Sequence, residues 1–117
     1  MAKLYDYVDK YGNAWRLMFA KTVYAYGGSI AVEAYSENSG EGDVETSFDP
    51  YAPITVNLPI IPLTDERCAW IDTNNSRHIA EWMVRGGFMS WTGRSAHGTA
   101  DKNLDRLGVR LGGPHVR

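Results

Sequence analysis

The sequence predicts an α+β domain in which a mostly antiparallel sheet of five or six strands carries one main helix on one face. Three observations lead to this class. Several short segments before residue 72 alternate apolar and polar residues, which is the two-residue period of half-buried strands. Turn-forming residues separate these segments, so neighbouring strands are most simply antiparallel. Residues 76–85 instead repeat their apolar side chains with the spacing of a helix.

The first two predicted strands occupy residues 4–9 and the segment that begins at residue 14. A turn-forming Lys-Tyr-Gly-Asn stretch at residues 10–13 separates them. In the second segment the apolar residues on one face are Trp15, Leu17 and Phe19. A single strand from residue 14 to residue 26 would be unusually long, which predicts a bulge or break near Lys21.

A third strand and a short fourth strand are predicted to follow. The glycine pair at residues 27–28 predicts a hairpin turn, because glycine tolerates the positive φ that such turns need. Residues 29–35 alternate as a strand, and the polar, glycine-containing residues 36–42 predict an exposed loop. Residues 44–48 predict a short strand, which ends where Asp-Pro at residues 49–50 predicts a turn.

The central stretch, residues 52–75, is predicted to link the sheet to the helix. Its first part alternates as a strand through Ile54, Val56 and Leu58. Two prolines follow, and because proline cannot donate to a ladder, this strand should end there or lie at an edge. A second apolar run covers residues 68–71. The Asp-Thr-Asn-Asn sequence after it offers several N-caps, and we expect Asn74 or Asn75 to cap the helix.

The helix predicted at residues 76–85 has an apolar stripe and a defined end. Its apolar residues at i, i+3 and i+4 are Ile79, Trp82 and Met83. The glycine pair at residues 86–87 supplies a left-handed C-terminal cap, and Arg85 in the last turn suits the helix dipole.

Less regular structure is predicted after the helix. Residues 90–95 are polar and predict a turn, and residues 101–107 predict a short second helix. Residues 108–117 predict a flexible tail because Gly-Gly-Pro interrupts them. The predicted domain therefore spans residues 1–107.

Composition restricts the classes of protein to which the chain can belong. A length of 117 residues with 44% apolar residues predicts one domain with its own core. No run approaches the roughly 18 apolar residues of a membrane span, and the N-terminal segment lacks the apolar region of a secretory signal. We therefore expect a cytoplasmic protein that does not contact a membrane. The single cysteine, Cys68, excludes an intrachain disulfide.

No catalytic, cofactor or metal site is predicted. The candidate metal ligands lie far apart in the sequence, and they are Cys68, His78, His97 and His115. Metal-ligand spacings, nucleotide-binding loops and nucleophile elbows are absent from the sequence. A nucleophile pair of Cys68 and His78 is the enzymatic alternative, although a cysteine that begins an apolar strand usually behaves as a small buried hydrophobe.

Charge and tyrosine are both concentrated in the first half of the chain. Residues 1–66 contain four basic and ten acidic residues, whereas residues 67–117 contain eight basic and four acidic ones. The acidic stretch at residues 37–49 is either a solvated loop and edge strand or a face that docks on a basic partner. Tyrosines on alternating strands cannot all face one core, so several should face outward. Such a surface suits protein binding, with base stacking on a nucleic acid as the alternative. The residues predicted to contact a partner are Tyr24, Tyr26, Tyr35, Glu37, Glu41, Asp43 and Glu45.

The polar cluster at residues 72–75 has two interpretations. It can stop a strand and cap the helix, or its exposed N–H groups can bind an anion with help from Arg94. The negative charge of Asp72 argues against an anion site. We therefore prefer an internal brace in which Asp72 pairs with Arg94, with Asn74 and Asn75 beside it.

Three motifs in order resemble an uncharacterised family of small proteins. They are Thr-Val-Asn-Leu at residues 55–58, Ala-Trp-Ile-Asp-Thr-Asn-Asn at residues 69–75 and Thr-Gly-Arg-Ser at residues 92–95. The resemblance covers roughly residues 5–95. The family occurs on plasmids, prophages and conjugative elements of gut bacteria, and it implies a genomic setting without a chemistry. Beyond residue 94 the chain departs from the family's aromatic C-terminal segment.

These observations together predict a non-enzymatic accessory protein that binds another macromolecule, most simply a protein. The setting implied by the resemblance suggests an inhibitor of a host defence complex, of the anti-CRISPR or anti-restriction type. A nucleic-acid-binding module of conjugation or replication is the first alternative, and a small enzyme using Cys68 and His78 is the second. Pairing of an exposed strand edge with a second copy stays open.

Overall fold

The chain forms eight strands and one helix over the residues described by the computed structural model, which are 3–38, 47–59, 61–63, 65–97 and 105–111, with the backbone alone for 96–97 and 105–111. In chain order the elements are β1 (Tyr5–Val8), β2 (Ala14–Val23), β3 (Ile30–Asn38), β4 (Ser47–Pro53), β5 (Thr55–Val56), β6 (Cys68–Asp72), α1 (Thr73–Arg85), β7 (Met89–His97) and β8 (Asp105–Leu111). The predicted α+β class with antiparallel strands and one main helix is confirmed.

The strands form two four-stranded sheets, whereas the sequence predicted five or six strands in a single sheet. The first sheet has the order β1-β2-β3-β4, and the second has the order β5-β6-β8-β7. Every pairing in both sheets is antiparallel.

Ile54 joins the two sheets. Its N–H donates to the carbonyl of Val32 in β3 at 2.9 Å, and its carbonyl accepts from the N–H of Asp72 in β6 at 3.0 Å. The next side chain, Thr55, accepts from the N–H of Val32 at 3.0 Å and is buried. The predicted strand through Ile54, Val56 and Leu58 is therefore reduced to two residues, because the chain changes sheets at this point.

The core lies between the inner face of the first sheet and α1. Inward residues of β2 and β3 pack with the apolar side of the helix, and the buried members of that side are Ile79, Ala80 and Met83. An aromatic group continues this core, with the Phe88 ring 4.9 Å from Tyr5 and 5.4 Å from Phe19. Trp82 lies 5.3 Å from Phe88. The apolar stripe predicted for the helix is confirmed.

β2 runs without interruption, so the predicted bulge or break near Lys21 is wrong. Its pairing with β3 stays in register through Lys21 and Val32 to Val23 and Ile30. The inward side of the strand is buried at Leu17 and Phe19, but Lys21 and Val23 are exposed because the strand extends beyond the core. The loss of apolar pattern reflects the edge of the core and not the end of the strand. The glycines at residues 27–28 both have positive φ in the turn that follows, as predicted.

The loop and turn predicted around β3 and β4 are partly replaced by strand. β3 continues to Asn38, into the predicted loop, and β4 contains the Asp49-Pro50 pair that predicted a turn. β4 is an edge strand, and its pairing shifts so that Tyr51 is an extra residue between Pro50 and Ala52. Proline is tolerated at edges and bulges, where the ladder does not need its missing N–H.

The helix begins earlier than predicted and has a different cap. Asp72 is the N-cap, and its carboxylate accepts from the Asn75 backbone N–H at 3.3 Å and from Asn75 Nδ2 at 2.9 Å. The first turn is separated from the rest by a kink at Ser76, whose hydroxyl donates to the carbonyl of Pro53. The predicted start at residue 76 therefore coincides with this kink. At the other end, Gly87 has φ 82° and the Phe88 N–H donates to Met83 at 3.0 Å, which confirms the predicted glycine cap.

The structure after the helix is β-strand where the sequence predicted a turn, a helix and a tail. The polar residues 90–95 lie in β7, whose pairing with β8 shifts between Trp91 and Ser95. Residues 92–94 are therefore a bulge. Residues 105–107, predicted as helix, and residues 108–111, predicted as tail, belong to β8, which pairs with both β6 and β7. The rest of the predicted second helix and tail lies outside the described residues.

Candidate functional site

The outer face of the first sheet is left uncovered by the described residues. Its side chains follow from the strand register, because alternate residues point to opposite faces. None of them is buried, whereas the inner face supplies most of the core. We call this set the outer face, and it consists of Asp6, Val8, Ala14, Arg16, Met18, Ala20, Thr22, Ala31, Glu33, Tyr35, Glu37, Phe48, Pro50 and Pro53.

The outer face carries three carboxylates and one guanidinium group. Arg16 lies between two of the carboxylates, with Nε 3.7 Å from Asp6 and Nη1 3.4 Å from Glu37. The Tyr35 hydroxyl donates to Glu33 at 2.8 Å, and this hydrogen bond to a carboxylate raises the pKa of Tyr35. The face is thus net acidic, with small and apolar side chains between its charges.

A shallow depression marks one end of this face. It has a volume of about 430 Å³, and its lining combines outer-face residues of β1, β2 and β3 with Tyr7 and Trp15. Val8 in its lining is 55% exposed, and the side chain of Asp6 is 93% exposed. An apolar residue beside exposed charge is typical of a surface that a partner can cover.

The residues predicted to contact a partner do not form one patch. Tyr35 and Glu37 lie on the outer face, as a binding role would need. Tyr26 is 73% exposed but lies in the turn between β2 and β3. Tyr24, in the same turn, is half-buried and its hydroxyl is 2.8 Å from Thr55 Oγ1. The predicted residues Glu41, Asp43 and Glu45 lie outside the described residues.

The prediction that several strand tyrosines face outward is wrong. Tyr5 and Tyr7 share the inward side of β1 with their partners in β2, and Tyr51 lies 4.8 Å from Trp15 and 6.1 Å from Tyr7. Tyr51 follows Pro50, which lies on the outer face, so strand alternation places Tyr51 on the inward side. Among the described strand residues, Tyr35 is the tyrosine on the outer face. A row of tyrosines for base stacking is therefore absent from this part of the chain.

The polar cluster after β6 forms a cap, and its predicted brace is not found among the described side chains. Both Asp72 oxygens accept from Asn75, and the ion pairs between described side chains belong to Arg16. The guanidinium of Arg94 lies 5.3 Å from the ring centre of Trp70. Asn74 is exposed and lines a cavity on the other side of the first helical turn.

This cavity lies between the β1–β2 turn, β4 and the first half of α1, and we call it the helix cleft. Its volume is about 180 Å³. At its base the Tyr7 hydroxyl is 2.6 Å from His78 Nδ1, and Tyr7 is only 3% exposed. Burial, aided by nearby Tyr51 and Asp9, raises the pKa of Tyr7 to about 12. Tyr7 therefore stays protonated at neutral pH, and its hydroxyl forms a hydrogen bond with His78 Nδ1.

Asp9 lines the helix cleft, and its carboxylate accepts several hydrogen bonds from nearby N–H groups. Its carboxylate accepts from Trp15 Nε1 at 2.9 Å, from the Tyr11 N–H at 2.9 Å and from the Asn13 N–H at 2.8 Å. These hydrogen bonds, the one from Trp15 most of all, lower the pKa of Asp9. Burial and the charge of Asp9 raise the pKa of Tyr51.

Sequence reasoning did not find the helix cleft. Tyr7 and His78 are 71 positions apart, and the turn at residues 10–13 was read only for its conformation. A lone histidine on a helix gives no signal by itself. The one indication in the sequence was the Asn-Asn pair at residues 74–75, which lines this cavity.

The enzymatic alternative gains no geometric support. Cys68 is buried, and its Sγ lies 3.6 Å from Asp65 Oδ1, whereas His78 bonds to Tyr7. Groups of three or more histidine, cysteine, aspartate or glutamate side chains suited to a metal ion do not occur among the described residues.

Comparison of the chain with protein-family models, curated protein sequences and solved structures found no significant match. Within the described part of the chain, no helix has the length and apolar character needed to cross a membrane.

Proposed function

We propose that this protein is a non-enzymatic binding protein whose partner is another protein that presents basic side chains to the outer face. The observation that carries the proposal is a sheet face that the described residues leave uncovered and that has an excess of carboxylates. Tyr35 lies near its centre, and Glu33 and Glu37 flank Tyr35 on the same strand. A tyrosine ring between carboxylates suits a lysine or arginine side chain, which can stack on the ring and pair with the acids.

The existing ion pairs of the outer face do not prevent such binding. The side chains of Arg16 and Asp6 are 57% and 93% exposed, and a surface ion pair of this kind contributes at most about 1 kcal/mol. A basic partner can therefore pair with Asp6 at little cost. Acidic residues on one face also speed association with a basic partner, and this effect weakens with salt.

A more specific role is supported only by the resemblance of the three motifs to the uncharacterised family. Under that proposal the protein is an accessory protein of a mobile element and inhibits a host defence complex of the anti-CRISPR or anti-restriction type. Its test is whether the purified protein blocks cleavage of target DNA by such a complex, and whether a charge reversal on the outer face removes the block. Cleavage that is unaffected by the wild-type protein would exclude this role while leaving protein binding open.

The binding proposal is tested by quantitative affinity purification with matched variants. Glu33→Lys reverses a charge on the outer face, and Glu81→Lys makes the same change at an exposed position of α1. We expect a specific partner to be recovered with the wild-type protein and with Glu81→Lys, but lost with Glu33→Lys. The purified partner should then bind the wild-type protein at least about tenfold more tightly than Glu33→Lys, because the reversal removes an interfacial ion pair and adds repulsion from the basic partner.

Equal recovery with both variants would show that the outer face is not the binding surface. A partner that proves to be nucleic acid, with affinity that falls steeply as salt rises, would overturn the proposal in favour of the nucleic-acid alternative.

A further inference from the structure

The helix cleft collects hydrogen-bond donors from three separate parts of the chain. Lys10 comes from the β1–β2 turn, Tyr51 from the β4 bulge, and Asn74, Arg77 and His78 from α1. Lys10 and Arg77 can only donate, and the Tyr51 hydroxyl and the Asn74 amide each offer a donor as well. The side-chain polar atoms of these residues are therefore mostly donors.

Several of these donors lack a partner within the described residues. No hydrogen bond to the Tyr51 hydroxyl or to the Asn74 amide is present there, and the same holds for the guanidinium of Arg77. Lys10 Nζ lies over the Tyr11 ring at 5.3 Å from its centre, which leaves its hydrogens available. A half-buried hydroxyl such as Tyr51 normally finds an acceptor.

The negative charge of Asp9 does not cancel this donor set. Its charge reaches Tyr51, but the lining also holds the two positive charges of Lys10 and Arg77, so positive charge exceeds negative charge by one. The backbone amides of the helix start are also not required, because Asn75 N–H donates to Asp72. The cleft thus depends on side chains, two of which carry a full positive charge.

We propose that the helix cleft binds the oxyanion group, carboxylate or phosphate, of a small molecule. The charges of Lys10 and Arg77 favour an anion, and the hydroxyl of Tyr51 and the side-chain amide of Asn74 supply neutral donors to its oxygens. A volume of about 180 Å³ holds such a group with a few further atoms, but is smaller than the roughly 300 Å³ of a site for a drug-sized ligand. The site is distinct from the outer face and does not depend on the proposed protein partner.

The test is a ¹⁵N-NMR titration of the full chain with inorganic phosphate and, separately, with acetate. Ionic strength is held constant with sodium chloride at pH 7. We expect at least one of the two anions to give saturable shifts that are confined to residues of the cleft. Saturation by phosphate alone assigns a phosphate site, saturation by acetate alone assigns a carboxylate site, and saturation by both assigns a general oxyanion site.

Variants distinguish specific binding in the cleft from non-specific attraction of the anion to positive charge. Arg77→Gln and Tyr51→Phe should each weaken binding about tenfold, the effect of losing one hydrogen bond to a charged group. Lys21→Gln removes an exposed positive charge of β2 outside the cleft and should leave the affinity unchanged. An unaltered spectrum away from the substituted residue shows that each variant is folded.

The proposal is overturned if neither anion gives saturable shifts. It is equally overturned if Lys21→Gln weakens binding as much as Arg77→Gln does, since the attraction would then be non-specific. Because the outer-face test uses different variants and a protein partner, either proposal can fail without the other.

Discussion

The Tyr7 hydroxyl is held in its neutral form by the packing around it. Tyr7 belongs to β1, and its side chain is almost fully buried against α1. Its ring lies 5.3 Å from Trp82 and 5.8 Å from His78. A phenolate at this position would lose its hydration, and Asp9 would repel it. Ionisation of Tyr7 would therefore destabilise the folded chain.

This dependence predicts a loss of stability at alkaline pH. The pKa of Tyr7 is about 12 in the folded chain against about 10 for a free tyrosine, so the unfolded chain releases its proton first as pH rises. The stabilisation is fully present below pH 10 and should decline between pH 10 and pH 12 by on the order of 2 kcal/mol. The measurement is urea denaturation at several pH values, for the wild-type chain and for Tyr7→Phe.

Tyr7→Phe should be less stable than the wild type at neutral pH, because it loses the hydrogen bond to His78. Its stability should nevertheless fall less steeply above pH 10. Parallel curves for the two proteins would show that Tyr7 does not titrate with a raised pKa.

Asp72 is predicted to stabilise the chain as a helix cap and not as a partner of Arg94. Asp72→Ala removes both hydrogen bonds to Asn75 and should lower the free energy of unfolding by about 1 kcal/mol. Asn74→Ala alters an exposed residue of the same turn and should change it by less than about 0.5 kcal/mol. Urea denaturation measures both.

A double-mutant cycle with Arg94→Ala then tests the internal brace directly. We expect the two changes to add, since Arg94 lies over Trp70 and the Asp72 carboxylate is engaged at the cap. A coupling energy above about 1 kcal/mol would instead restore the brace that the sequence suggested.

Elements with a local pattern were predictable from the sequence, and elements made by distant pairing were not. The apolar stripe of α1 and the glycine pair after it are each specified by a few neighbouring residues of the sequence. The strand pairing of β8 with β6 joins residues 105–111 to Cys68–Asp72, and no local spacing specifies it. The same holds for β4, where Pro50 is compatible with a strand only because the strand is at an edge and bulged at Tyr51.

The helix start shows a more specific reason for an error of a few residues. Asp72 ends β6 and also caps α1, so strand and helix share a residue and leave no loop between them. The sequence instead favoured Asn74 or Asn75 as the cap, at the end of the polar cluster, with the helix beginning at residue 76. The first helical turn, which is separated from the rest of α1 by the kink at Ser76, was therefore not predicted as helix.

The C-terminal end of α1 provides a prediction at the scale of the element. Gly87 has a φ of 82°, and a Cβ at this position would meet nothing within 4 Å. Gly87→Ala should therefore destabilise the chain through backbone strain alone, by about 1 kcal/mol. Gly87→Asn should cost less, because asparagine adopts this conformation more readily. Thermal denaturation compares the two, and equal losses would contradict the assignment of the cost to backbone conformation.

At the scale of the whole molecule, the candidate sites were predictable only in part. Acidic composition and tyrosine content pointed to the outer face, and Tyr35 and Glu37 do lie there. The direction of most strand tyrosines was not predictable, because it depends on which side of β1 and β2 meets the helix. The helix cleft depends on three segments that meet only in the folded chain.

The connection at Ile54 predicts that the two sheets unfold together. Its side chain is fully buried, and its backbone bonds to Val32 in the first sheet and to Asp72 in the second. Ile54→Ala should lower the free energy of unfolding by about 2–5 kcal/mol, and Ile54→Val by about 1 kcal/mol, which keeps the experiment interpretable if the alanine variant does not fold. Val23→Ala, at an exposed apolar position, is the control and should have little effect.

Hydrogen exchange measured amide by amide distinguishes a shared loss from a local one. If the sheets form one cooperative unit, Ile54→Val reduces protection by the same factor in the β2 amides and in the β6 amides, since both exchange through the same global opening. Reduced protection in β6 with unchanged protection in β2 would show that the second sheet opens independently. The helix cleft should then open together with the second sheet, because α1 follows β6 directly and supplies Asn74, Arg77 and His78 to the cleft.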